Sequence, residues 1–123
     1  MLQEAVLKKH FVLKSRKGWT SLETRNAELS RSFRTRRIAK IVDGHRFLFT
    51  IGETQQGKDR DRELSATLEQ IVRQAGLAVL SEPTTNGRLR NLKLYRGFDL
   101  AGCSPETLER ILEQAEDAII KCR

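Results

Sequence analysis

The feature that most constrains the fold of this chain is the dipeptide Asp43-Gly44, which lies between two runs of alternating apolar residues. Asp-Gly in a two-residue loop favours a type I′ turn, because both positions need a positive φ angle that most residues avoid. The sequence therefore predicts a β-hairpin with Val42 directly opposite His45. Its return strand is predicted over residues 45–53, a segment rich in apolar side chains.

Upstream of this turn the apolar residues mostly alternate, which favours a strand over residues 27–42 rather than a helix. The parity of the apolar positions changes between Phe33 and Ile38. An extra residue would restore a common face, because a β-bulge reverses side-chain parity. We therefore expect a bulge at Arg36-Arg37. The side chains predicted to face the core are then Leu29, Phe33, Ile38 and Val42.

The last helix has the most complete set of end signals. Ser104 is a preferred N-cap residue, Pro105 suits the first helical position, and acidic residues follow in the first turn. Asp59 or Asp61 is predicted to cap the start of the preceding helix, which should end before Gly76, a residue type common just beyond a helix. Both helices have an apolar stripe at helical spacing, as expected for helices that pack on a sheet.

The complete pattern predicts a single α+β domain over residues 1–123. Its curved antiparallel sheet has the element order ββββαββα, with a short N-terminal helix as an optional addition and two main helices on one face. The other expected elements are a short helix over 2–9, strands that begin at Phe11 and Trp19 on either side of a turn at 15–18, short strands over 77–80 and 88–96, and a turn over 82–87.

Basic residues are concentrated in one part of the chain. The net charge is +7, but residues 1–60 alone carry 14 basic and 6 acidic side chains, whereas residues 61–123 carry 9 and 10. Such a concentration is the electrostatic footprint expected of a protein that binds a polyanion. The competing interpretation is that the charge only keeps the protein soluble.

The predicted helices are neutral or acidic, so the basic side chains should lie on the sheet face that the helices leave open. Cations on such a face can contact the phosphates of single-stranded nucleic acid, while aromatic rings stack on bases. Aromatic residues are few, and the single tryptophan, Trp19, is either a stacking platform on this face or a core residue, with the core favoured. The residues expected to contact phosphates are Arg34, Arg36, Arg37, Lys40, Arg46, Arg88, Arg90, Lys93 and, in the 15–18 turn, Arg16 and Lys17.

These patterns predict a non-catalytic module that binds DNA or RNA, with single strands favoured. One alternative is a protein-interaction factor, an inhibitor or adaptor, whose basic face docks an acidic protein. Another is a small metal-independent ribonuclease that uses His45, Tyr95 and Arg96, since cations can stabilise the charge of a phosphoryl transition state. The acidic face of the last helix is either solvated, paired with a second subunit, or a shield for the basic surface. The sheet edges also make a homodimer a reasonable expectation.

No motif for a metal or a cofactor is found in the sequence, and we expect neither. No segment approaches the 18 apolar residues of a membrane span, and the N-terminus has no pattern of a secretory signal. Cys103 and Cys122 flank the last predicted helix, about 28 Å apart at the rise of an α-helix. That separation is too large for a disulfide. We therefore expect a cytoplasmic protein with reduced thiols and with Cys103 buried.

Overall fold

The computed structural model describes residues 3–33, 36–51, 53–54, 59–84 and 93–122. In this part of the chain the helices are α1 (Glu4–His10), α2 (Ala27–Phe33), α3 (Asp59–Gln74) and α4 (Pro105–Lys121). The strands are β1 (Phe11–Arg16), β2 (Trp19–Thr24), β3 (Arg37–Val42), β4 (Arg46–Phe49), β5 (Glu53–Thr54), β6 (Leu80–Thr84) and β7 (Lys93–Asp99). A short 3-10 helix, Leu100–Gly102, connects β7 to α4.

All seven described strands join one antiparallel sheet. Neighbouring strands follow the order β1-β2-β3-β4-β7, and β6 lies on the outer side of β7. β4 pairs with β7 near Gly97, and β5 pairs with the same strand at Leu94. β4 and β5 therefore occupy consecutive parts of a single position, and the sheet is six strands wide. β1 and β6 are its edges, so the sheet is open, and the predicted α+β class is confirmed.

The core lies between one face of the sheet and the helices. Its most central aromatic contact stacks Phe47 on Phe98, with ring centroids 4.8 Å apart. α3 and α4 pack against each other, and α3 also packs on β7. α4 contributes Leu108, Ile111 and Ile119, all of them fully buried. The prediction that the two main helices cover one face of the sheet is therefore confirmed.

The ends of α4 and the hairpin between β1 and β2 form as predicted. The Ser104 hydroxyl accepts a hydrogen bond from the Thr107 N–H at 3.2 Å, and Pro105 begins the helix. Arg16 pairs with Trp19 across a two-residue loop in which Gly18 has φ +81°. The short N-terminal helix is also present, as α1.

The β3–β4 hairpin differs from the prediction by one residue. Asp43 and Gly44 adopt positive φ angles of +53° and +79° as expected, but Val42 pairs with Arg46 rather than with His45. The backbone carbonyl of His45 accepts a hydrogen bond from Leu100 at 2.7 Å, outside the β3–β4 ladder. The shift has a clear advantage, because it places Ile41 instead of a lysine beside Phe47 on the core face.

The predicted strand over residues 27–42 is wrong in its first half, where the structure forms α2. The Asn26 side-chain oxygen accepts hydrogen bonds from the N–H groups of Glu28 and Leu29, at 3.0 and 3.4 Å. These contacts satisfy backbone donors at the start of the helix, as an N-cap residue does. Leu29 does reach the core as expected, but it does so from a helix. β3 begins only at Arg37.

The predicted bulge at Arg36-Arg37 is therefore misplaced, since Arg36 lies before the strand. A register shift does occur nearby, where Leu22 pairs with Ala39 and Glu23 pairs with Arg37. The residue left over is Ile38, and it is buried in the core next to Ala39. The irregularity thus places two consecutive side chains inward. Val42, expected in the core, lies on the opposite face.

The chain between α3 and α4 also differs from the prediction. Gly76 follows α3 with φ +85°, as expected of a residue beyond a helix end. Residues 77–80 were expected to form a strand buried on both faces, but Ala78 is exposed and β6 begins only at Leu80. Residues 82–84, expected in a turn, belong to β6. Pro83 is tolerated there because β6 is an edge strand. Residues 88–92 of the predicted return strand lie outside the described part of the chain.

Candidate nucleic-acid interface

Strand register assigns each side chain to one face of the sheet, because directly paired residues of an antiparallel sheet point the same way. Ile41, Phe47 and Phe98 lie in one such row and face the helices. The intervening rows form the opposite face, which we call the open face. Its described members include Lys14, Arg16, Trp19, Ser21, Glu23, Arg37, Lys40, Val42, Arg46, Leu48, Glu82 and Tyr95.

One corner of the open face forms a shallow groove with a volume of about 330 Å³, which we call the basic groove. Its walls come from β1, β2 and the start of β3, so three strands and the residue before β3 position it. Arg36 is anchored there because its carbonyl accepts a hydrogen bond from the Thr24 N–H at 2.7 Å. The lining residues are Lys14, Arg16, Ser21, Glu23, Arg36 and Arg37.

The electrostatics of the basic groove are dominated by cations. Its one acidic side chain, Glu23, contacts Lys14 with an N–O distance of 2.9 Å. This hydrogen bond, aided by the fields of Arg36 and Arg16, holds the pKa of the Glu23 carboxyl below its ordinary value. Within the described residues, no carboxylate lies within ion-pair distance of Arg16 or Arg36. The groove therefore carries a clear excess of positive charge.

A lysine between two aromatic rings lies next to the basic groove. The Lys40 ammonium is 5.9 Å from the centre of the Trp19 ring and 5.3 Å from that of Tyr95. The Arg37 guanidinium lies over the same indole at 5.2 Å. Partial burial, together with the charges of Arg37 and Arg46, lowers the pKa of Lys40. Trp19 is thus not a core residue, contrary to expectation, and it lies half-buried on the open face.

At the far end of the open face, the described charged side chains are paired with opposite charges. Arg46 contacts Asp43 at 2.6 Å and also binds the Glu82 carboxylate. His45 lies in the loop between β3 and β4, and its Nδ1 atom is 3.3 Å from the Oδ1 atom of Asp99 at the end of β7. Both side chains are about half exposed. The guanidinium of Arg46 is therefore paired with the carboxylates of Asp43 and Glu82. Among the described residues, the positive charge of the open face is therefore concentrated at the β1–β3 side.

The structure brings together some of the predicted phosphate contacts and separates others. Arg16, Arg36, Arg37 and Lys40 lie in or beside the basic groove, and Lys17 is exposed in the β1–β2 turn. Arg46 shares the face but is paired with acids. Arg34, Arg88 and Arg90 lie outside the described residues, as does the side chain of Lys93.

Two groove residues were not predicted as contacts. Lys14 and Ser21 face each other across β1 and β2, and both line the basic groove. The register of the β1–β2 hairpin was available from sequence and places Lys14 on the same face as Arg16. That parity was the signal that could have identified Lys14.

The acidic side of α4 lies on the opposite side of the molecule from the basic groove. Lys9 of α1 contacts Glu109 at 2.7 Å. His10 lies between Glu109 and Glu116, with ring nitrogens 3.0 and 2.8 Å from their carboxylates. These contacts tie α1 to α4 on the helical side of the sheet. In this arrangement α4 does not shield the described basic residues of the open face.

The residues suggested for a ribonuclease do not converge. Tyr95 and Arg96 are adjacent in β7, so their side chains point to opposite faces, and Arg96 binds the Ser81 hydroxyl. His45 is paired instead with Asp99, four residues from Tyr95 and about 13 Å along the strand. In the ranges that the structure describes, no three His, Cys, Asp or Glu side chains are arranged to hold a metal ion.

Neither Cys103 nor Cys122 forms a disulfide, and the burial of Cys103 raises its pKa. Among the described helices, none combines the length and the apolar character that crossing a bilayer requires. Comparison of the chain with protein-family models, with curated proteins and with solved structures found no match. The function of the open face must therefore be inferred from its own chemistry.

Proposed function

We propose that this protein is a non-catalytic nucleic-acid-binding module whose open face contacts the phosphates of a single strand. The observation that carries the proposal is the clustering of Arg16, Arg36, Arg37 and Lys40 around one groove on the sheet face opposite the helices. Counterion release from the nucleic acid would supply most of the binding free energy. We propose that it does so in the cytoplasm.

The two aromatic rings of the open face favour single strands over duplexes. Trp19 and Tyr95 lie on different strands with Lys40 between them. Unstacked bases can reach such rings, whereas the bases of a duplex are stacked on each other. Lys40 contacts both rings and Arg37 contacts Trp19, and these cations can turn toward phosphates when a base takes their place.

The direct test is a salt titration of binding to single-stranded and duplex DNA and RNA. We expect single strands to bind, with log K falling linearly with log[salt] at a slope of about −0.7 per phosphate contact. The triple change Arg16→Gln, Arg36→Gln and Arg37→Gln should weaken binding at about 50 mM salt and make this slope shallower by roughly 2. Failure of the unmodified protein to bind at that salt concentration would refute the proposal.

A matched control separates a local effect from a change in total charge. Lys8→Gln, Arg110→Gln and Lys121→Gln remove the same three charges from α1 and α4, on the helical side of the sheet. We expect the control to retain the affinity and salt dependence of the unmodified protein. An equal loss in both triple variants would show that only net charge matters.

A second candidate is the docking of an acidic protein along β1. One specific observation favours it, since Val12 is a large apolar side chain, 39% exposed, on this edge strand. An extended acidic segment could pair with the edge of β1 while its carboxylates meet Arg16. Copurification of one acidic protein, lost on changing Val12→Asp but retained without nucleic acid, would favour this candidate.

The homodimer expected from the sheet edges remains a prediction. Both described edges disfavour pairing with a second copy of the chain, because Lys14 and Arg16 of β1 would repel their counterparts and β6 contains Pro83, which has no N–H to donate. A dimer would therefore use another surface. Sedimentation equilibrium with and without oligonucleotide measures the association directly.

A further inference from the structure

We infer that the basic groove binds a terminal phosphate monoester, so that the protein recognises an end of a single-stranded nucleic acid. This inference rests on the proposed function and identifies the group that the groove would select. The evidence is the surplus of cations in the groove, an unpartnered hydroxyl among them, and the position of the groove at a corner of the sheet.

The surplus of cations suits a dianion better than a monoanion. Glu23 neutralises Lys14, which leaves the guanidinium groups of Arg16 and Arg36 in the same groove without a carboxylate partner in the described part of the chain. An internal phosphodiester carries one negative charge, whereas a monoester carries nearly two at neutral pH. Guanidinium groups also match phosphate oxygens with paired, charge-assisted hydrogen bonds.

Ser21 supplies a donor within this cluster of cations. It is 4% exposed and lines the basic groove, and no described residue forms a hydrogen bond with its hydroxyl. The oxygen is not one of the buried polar atoms that lack a partner, so water reaches it from the groove and it can donate to an acceptor that enters there. A phosphate oxygen in the groove would be such an acceptor. Ser21 is directly paired with both Lys14 and Lys40, which places its side chain on the open face between them.

The position of the groove is compatible with the end of a strand. β1 is an edge of the sheet, and Arg36 lies just before β3 begins. Arg37 lines the groove and also lies over the Trp19 ring, so it connects the two parts of the open face. With a terminal phosphate in the groove, the first nucleotide would lie against Trp19. The following nucleotides would cross the sheet toward Tyr95.

The test compares oligothymidylate eight-mers that carry a 5′-phosphate, a 3′-phosphate or hydroxyl groups at both ends. Fluorescence anisotropy at pH 7.5 and constant salt measures their affinities. We expect one of the two phosphorylated forms to bind about tenfold more tightly than the hydroxyl form, as one or two charge-assisted hydrogen bonds would give. Equal binding of all three oligonucleotides overturns this inference and leaves the proposed function standing. Binding of none overturns both.

Two variants assign the preference to the groove. Ser21→Ala removes only the hydroxyl, so it should reduce the preference for the phosphorylated end about threefold. Arg36→Gln should abolish most of the preference. Arg110→Gln, which removes the same charge from α4, should leave it unchanged. A preference that survives both groove variants overturns the inference. A phosphoserine octapeptide that binds more tightly than either phosphorylated oligonucleotide also overturns it.

Discussion

At Gly97 the backbone of β7 lies close to the backbone of β4. A Cβ atom built on it would lie 1.8 Å from the carbonyl oxygen of Phe47 and 2.9 Å from the Leu48 Cα atom. Both neighbours are backbone atoms of β4 in the middle of the sheet. They cannot move without breaking the pairing of β4 with β7, so this position tolerates only glycine.

We therefore expect Gly97→Ala to lower the free energy of unfolding by more than about 3 kcal/mol, as overpacking against a rigid backbone does. Urea denaturation measures the change. Gly102→Ala is the matched control, because a Cβ there meets nothing within 4 Å and the residue has no positive φ. The control should stay within about 0.5 kcal/mol of the unmodified protein. Equal stability of the two variants would contradict the close approach at Gly97.

Lys40 should separate binding from stability. Burial and neighbouring arginines lower its pKa, so the fold does not depend on its charge. Lys40→Met keeps an unbranched chain between Trp19 and Tyr95 and removes the ammonium. We expect the free energy of unfolding to remain within about 0.5 kcal/mol, while affinity for single strands falls roughly threefold to tenfold because a phosphate contact is lost. A loss of stability with unchanged affinity would show that Lys40 is structural.

The helix α4 is stabilised by residues close to it in sequence. α4 depends on its own N-cap, and its apolar stripe supplies much of the core. Ser104→Ala should therefore cost about 1 kcal/mol, since the Thr107 N–H loses its acceptor. Ser30→Ala, inside α2, is the control, because its hydroxyl makes no hydrogen bond with a described residue. Thermal denaturation of both variants measures the difference, and equal melting temperatures would rule out a stabilising cap at Ser104.

For the whole molecule, the distribution of ion pairs predicts how stability depends on pH. The pKa of Glu109 is lowered by its hydrogen bond with Lys9 and then by His10. The pKa of Glu23 is lowered by Lys14, and that of Asp99 by the Ala101 N–H. Each carboxyl group binds protons more weakly in the folded than in the unfolded chain. Their contribution is present above the ordinary carboxyl pKa and is lost as pH falls through the lowered folded values.

We expect the free energy of unfolding to be nearly constant from pH 7 to about 5.5 and to decrease below about pH 4.5. Urea denaturation at successive pH values measures the curve. Glu109→Gln should reduce stability at pH 7 by roughly 1 kcal/mol and make the acid loss shallower. Glu113→Gln removes an exposed carboxylate of the same helix, and we expect it to leave the curve unchanged. A curve that is equally steep in Glu109→Gln would contradict this assignment.

Local sequence determined the elements whose signals are carried by neighbouring residues. The capped helix α4, the turn with Gly18, the end of α3 at Gly76 and the α+β class all follow from short-range sterics and from periodicity. The concentration of basic residues before residue 60 was likewise visible without a structure, as was the placement of Arg37 and Lys40 in a strand, whereas Arg16 was expected in a turn and lies at the end of β1.

Only the tertiary structure decided the register of the β3–β4 hairpin and the contacts of the charged and aromatic side chains on the open face. α2 has a recognisable cap at Asn26, but seven residues are too few for periodicity to outweigh the alternation around them. The β3–β4 register depends on which side chain meets Phe47 and on Leu100, 55 residues after His45, which no local pattern reports. For the same reason sequence could not foresee that Arg46 is neutralised by Glu82, or that Trp19 lies beside Lys40. These contacts join distant strands, and they locate the basic groove at one corner of the open face.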